Sequence, residues 1–140
     1  MNLIKRKRKS TDRWLLLESD THAGHKLGLC NPDVVLLDEN AEQELINLGK
    51  FQSYLWPKRL EYINNVVEMA GDDEILHFHG GDITQGQKYM QQLMSDSIDH
   101  QFAIAAANMW PIYDLPNVKT GRLIAGTASH VFWNATAEIA

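Results

Sequence analysis

The chain has a single cysteine, Cys30, in 140 residues. An internal disulfide is therefore excluded, and the composition suits a reducing compartment, which gives the expectation of a cytoplasmic protein. No apolar run approaches the ~20 residues a membrane span needs, so no membrane association is expected. The basic N-terminus is not followed by the ~7–15 apolar residues of a secretory signal. Basic residues are outnumbered, 13 Lys and Arg against 18 Asp and Glu. Five of those basic residues form the run Lys5-Arg6-Lys7-Arg8-Lys9, so the rest of the chain is more acidic than the net −5 of the whole. An acidic body is a poor non-specific binder of nucleic acid, which depends on Lys and Arg at phosphates, and a reasonable host for divalent cations. The basic run reads as part of a solvated, flexible tail over residues 1–11, with a nucleic-acid arm as the alternative.

With 44% apolar and 22% charged residues, the remainder can build an ordinary globular core. Its pattern predicts β-α-β-α-β. Residues 13–19 read as a strand buried on both faces, because Trp14 to Leu17 is apolar and short. Residues 20–38 read as loop, with Val34 to Leu37 either a short strand or an apolar plug. A helix is expected from an N-cap at Asn40, with Gln43 three residues on, to Ala70 before Gly71, kinked or split near Trp56 by Pro57. Ile75 to His79 reads as the second strand, residues 85–109 as a helix ended by Pro111, and Arg122 to Ala125 as the third strand. The last ten residues read as the start of a further helix. Crossover helices imply a parallel sheet, and such sheets bind ligands beyond the carboxyl ends of their strands.

Those ends carry the polar candidates: Asp20 and His22, then Asp82 after Gly80-Gly81, then the turn Gly126 to His130. A carboxylate oxygen and an imidazole nitrogen suit Mn, Fe, Zn or Ni better than Ca. A carboxylate from a second strand, Asp82, could bridge two ions ~3.5–4 Å apart, an arrangement that binds a phosphoryl group and activates water. His25 reads as a hydrogen-bonding loop residue beside the site. Gln85 and Gly86 either shape a phosphate pocket or form a plain turn. His77 and His79 share a strand face and read as sheet packing rather than a metal pair. His100 reads as a surface or packing residue, and Cys30 as a small buried one.

Ser19-Asp20-Thr21-His22-x-Gly24-His25 followed by Gly81-Asp82-Ile83-Thr84-Gln85-Gly86 resembles the calcineurin-like metallophosphoesterases, and most of all their phage or prophage branch. The family pattern runs D-x-H, G-D-x-x, G-N-H-(D/E) and a later G-H-x-H. The resemblance spans roughly residues 13–140 and implies the N-terminal half of that family's layered α/β fold, with the domain from residue 12 truncated at its C-terminal side. It implies two divalent metal ions, Mn foremost, with Asp20 and His22 on the first and Asp82 bridging both. It implies a phosphate-ester substrate, a mono- or diester, with nucleotides or nucleic acid among the options. Thr127 stands where the family has the Asn that ligates the second metal. His130 lies two positions later than the family's catalytic His and would act as a second-metal ligand or as general acid. The later histidines do not occur before Ala140. The alternative to a phosphoesterase is therefore a non-catalytic remnant that binds a metal or a partner. A half-domain also leaves an apolar sheet face uncovered, which predicts self-association.

Overall fold

The computed structural model describes residues 12–44 and 46–130. It is a mixed α/β fold whose elements are β1 (Arg13–Glu18), β2 (Leu36–Leu37), β3 (Gln43–Glu44), α1 (Lys50–Ala70), β4 (Glu74–His79), a 3₁₀ turn (Met90–Gln92), α2 (Ile98–Tyr113) and β5 (Val118–Leu123). The main sheet has the order β1-β4-β5, and both pairings are parallel. The parallel β-α-β-α-β order expected from the sequence is present. The basic tail and the helix expected over the last ten residues lie outside the described residues.

Both helices cover one face of this sheet. Leu16 and Ile75 pack with Ile63, Val66 and Ala70 of α1 and with Ile112 of α2. A second cluster lies under the long loop after β1, where Ala23, Cys30 and Leu36 meet Ile104 and Ala105. The opposite sheet face carries Leu15 and Leu17, 55% and 52% exposed. The expectation that β1 is buried on both faces is therefore corrected. As an edge strand covered by helices on one side only, it alternates about Leu16.

Several boundaries differ from the sequence reading, each for a local reason. Asn40 does not cap a helix. The Asp38 carboxylate accepts from the N–H groups of Asn40 and Glu42, both at 2.8 Å, and this closes a β2–β3 hairpin. Helix α1 starts at Lys50, where Gln52 Oε1 accepts from the Gly49 N–H at 3.0 Å. Pro57 neither splits nor ends the helix, which is continuous from Lys50 to Ala70. The carbonyl that Pro57 leaves without its usual donor belongs to Ser53, an exposed residue. Gly71 ends α1 as expected, at φ 57°.

Helix α2 is shorter at its start and longer at its end than expected. Ser97 caps it, accepting from the His100 N–H at 3.4 Å, so Met90 and Met94 lie outside it. Pro111 sits inside it. The Ala107 carbonyl that a proline at 111 cannot reach is taken by the Asn31 side-chain amide at 3.0 Å. The third strand begins at Val118 rather than Arg122. On an edge strand, Lys119, Thr120 and Arg122 can face solvent, so no apolar run marks it.

Candidate metal centre

The loops that follow β1 and β4 continue side by side past the sheet. Gly80 N–H donates to the Glu18 carbonyl (2.8 Å), Asp20 N–H to Gly81 (3.0 Å), His22 N–H to Asp82 (2.9 Å) and Ala23 N–H to Ile83 (2.7 Å). Gln85 N–H then returns to the Ala23 carbonyl at 3.0 Å. This zipper fixes the two motifs against each other, although 62 residues separate Thr21 from Ile83. It also holds unusual backbone. Asp20, His22 and Asp82 have φ of 55°, 45° and 52°, in the left-handed region that costs a non-glycine residue on the order of 1 kcal/mol or more. Three of the four positive-φ non-glycine residues among those described are thus candidate ligands.

The third loop, after β5, closes on these two. Thr84 Oγ1–H donates to the His130 carbonyl at 3.2 Å. The His130 ring lies edge-on to His22, with centroids 4.6 Å apart. One ligand atom each from His22, Asp82 and His130 falls within 4.8 Å of the others, and this is the one such His, Cys, Asp or Glu group among the described residues. Thr127 is bound to the carboxylate instead. Its N–H donates to Asp82 Oδ1 at 2.6 Å, with its hydroxyl 3.3 Å from the same oxygen. A side chain at 126 would overlap the Asp82 carboxylate, so Gly126 is what lets the loop approach it.

Proton positions follow from the partners. His130 Nδ1 is 2.7 Å from the Gln85 carbonyl, which can only accept. Nδ1 therefore carries the proton and Nε2 of the neutral ring has a bare lone pair, the form a metal requires. Burial, and next the neighbouring His130, hold the His22 pKa below the usual histidine range. Both disfavour the charged form of the His22 ring. Its Nδ1 is buried without a hydrogen-bond partner, and such an atom calls for a ligand. A bare imidazole nitrogen, a carboxylate pinned by Thr127 and an orphaned buried nitrogen fit a divalent transition-metal ion.

The remaining candidates fall around this group. Asp20 Oδ1 is 3.7 Å from His22 Nε2, and the Asp20 side chain is 63% exposed. It flanks the cluster from the solvent side and stands outside it. His25 is a loop residue, meeting Gln92 at 3.3 Å through Nε2 and accepting from the Leu27 N–H at 2.9 Å. Gly86 N–H donates to Gln101 Oε1 at 2.9 Å, and the same amide returns to the Gly86 carbonyl at 3.1 Å. Gly86 thus anchors the loop to α2, while the Gln85 backbone meets Ala23 and His130. His79 lies behind the site and is fully used, accepting from the Gly81 N–H (3.2 Å) and meeting Thr21 Oγ1 (3.2 Å). His100, buried on α2, bonds the Ser95 hydroxyl and the Leu37 carbonyl.

Sequence reasoning missed the support beneath the first loop. Glu18, the last residue of β1, receives two hydrogen bonds from the Arg59 guanidinium at 2.9 Å each. His77 Nε2 reaches the same carboxylate at 3.1 Å. Burial by itself would raise the Glu18 pKa, but the hydrogen bonds from His77 and Arg59 outweigh it and lower it to about 2. Arg59 also donates to the Asn108 carbonyl of α2 at 2.7 Å. The signal was present: Glu18 is two residues beyond inward-facing Leu16, and Arg59 lies on the helix face of Trp56 and Ile63.

Comparison with protein-family models, with curated proteins and with solved structures finds no match.

Proposed function

We propose that this protein is a divalent-metal-dependent phosphoesterase of the calcineurin-like metallophosphoesterase type. It represents the N-terminal part of that fold and acts on a phosphomonoester or phosphodiester. The observation that carries the reading is the convergence of His22, Asp82 and His130 within 4.8 Å, from three loops at the carboxyl ends of parallel strands. That is where such sheets place ligands. The order of the motifs Asp20-x-His22 and Gly81-Asp82 supports the family.

His22, Asp82 and His130 would hold the ion, with exposed Asp20 beside the other ring nitrogen of His22, on the solvent side. A divalent ion at such a site polarises a phosphoryl oxygen and makes a water more acidic near neutral pH. Thr127 holds Asp82 in one orientation, and the Gln85 carbonyl fixes the His130 tautomer. His130 would serve as a ligand through Nε2, the ring nitrogen that the Nδ1 contact with the Gln85 carbonyl leaves free. Three donor atoms within 4.8 Å define one ion position. The second ion that the family implies would share Asp82.

That single position also favours a second reading, a metal-binding module without hydrolytic activity. Hydrolysis of bis-p-nitrophenyl phosphate with Mn²⁺ separates the two. The phosphoesterase reading expects metal-dependent release of p-nitrophenol that is lost in Asp82→Asn. Mn²⁺ binding without turnover would establish the module instead.

A further inference from the structure

An open cavity of about 590 Å³ starts at Asp20 and His22 and runs toward α1. Its size is in the range of small-molecule sites, ~300–1,000 Å³. Glu18, Ser19, Thr21 and His25 also line it, and its apolar wall is made by Leu27, Leu29, Leu55 and the Tyr62 ring. The Tyr62 hydroxyl donates to the Leu17 carbonyl at 3.1 Å, which fixes the ring as a rigid wall. The cations that line the cavity are already engaged. Arg59 is held by Glu18, and Lys58 Nζ lies 2.7 Å from Glu61.

We infer that this cavity seats the alcohol-side group of the phosphoester and selects a single apolar ring, an aryl phosphate rather than a small alkyl phosphate or a polyphosphate. The inference rests on the phosphoesterase reading, because the phosphoryl group must sit at the His22 end. Continuity with that end directs the ester group into the cavity. The apolar walls stabilise a buried ring in proportion to the area it removes from water. A second phosphate would find no uncommitted cation there. Leu55 and Tyr62 are specificity residues in this account and take no part in the chemistry.

Isothermal titration calorimetry on the whole chain tests it, with phenylphosphonate and methylphosphonate as unreactive ligands in the presence of Mn²⁺. Phenylphosphonate is expected to bind about tenfold tighter or more, a conservative figure for burying a ring. Leu55→Trp, which fills the cavity, should erase that preference and leave Mn²⁺ affinity unchanged. If Leu55→Trp lowers the Tm, Leu27→Asp on the exposed rim gives the same readout. Mn²⁺ binding with equal affinity for the two phosphonates, or a preference that survives both variants, overturns the cavity assignment and leaves the metal site standing. No Mn²⁺ binding by the wild-type chain overturns both.

Discussion

At the scale of single residues, the site depends on a few side chains held in conformations they would not choose alone. Gly126 must lack a side chain because the Asp82 carboxylate occupies that space. Gly126→Ala should therefore push the loop off Asp82. We expect a loss of about 1–3 kcal/mol in stability, typical of forced overpacking, and weaker Mn²⁺ binding. Denaturant unfolding and metal titration of the same variant measure the two effects. Glu18 gives a pH prediction. Its pKa of about 2, against an ordinary 4.5, means that its stabilisation is complete above about pH 4.5 and is lost as the pH falls toward 2. A shift of that size is worth about 3 kcal/mol. Urea unfolding between pH 5 and pH 2 should show the decline, and Glu18→Gln should flatten it.

At the scale of elements, the strand ends were more legible than the helices. The apolar runs from Trp14 and Ile75 stop at polar turns, so β1 and β4 were readable with their loops. The helix boundaries were set by side chains distant in sequence. The Asn31 amide satisfies Ala107 and lets α2 pass Pro111, and the Asp38 carboxylate turns Asn40 into a hairpin. Of the site, Asp20, His22 and Asp82 were readable as a pair of motifs. His130 joining His22, Thr127 serving the Asp82 carboxylate, and Asp20 standing apart depend on how the third loop closes, which sequence spacing does not encode. The clamp between β1 and α1 was legible only in part: Arg59 shares the buried helix face of Trp56 and Ile63, but the sequence does not say that Glu18 lies opposite it. With 8% side-chain exposure for Arg59 and 10% for Glu18, this is a buried pair. Arg59→Ala should cost ~3–5 kcal/mol by stranding a buried carboxylate, whereas the double change Arg59→Met with Glu18→Gln should cost less. A double-mutant cycle by chemical denaturation checks it.

At the scale of the whole molecule, the two faces of the sheet are unequal. One is covered by α1 and α2, and the other shows Leu15 and Leu17 of the edge strand β1. Contiguous exposed apolar surface drives association. Sedimentation velocity should therefore show concentration-dependent self-association, relieved by Leu15→Thr with Leu17→Thr. A monomer across the concentration range would sink that expectation. Among the described residues, no helix is long and apolar enough to cross a membrane. Three loops from three parallel strands meet at one end, and the proposed chemistry requires a metal at that meeting point. Titration of Mn²⁺ into the wild-type chain and into His22→Ala, Asp82→Asn and His130→Ala is the most direct measurement. The wild type should show saturable Mn²⁺ binding. Each variant should weaken it by at least the ~10–100-fold typical of losing a mere supporting partner of a ligand, with Asp20→Asn less affected. No binding by the folded wild-type chain, or equal binding by all three variants, would contradict the metal centre.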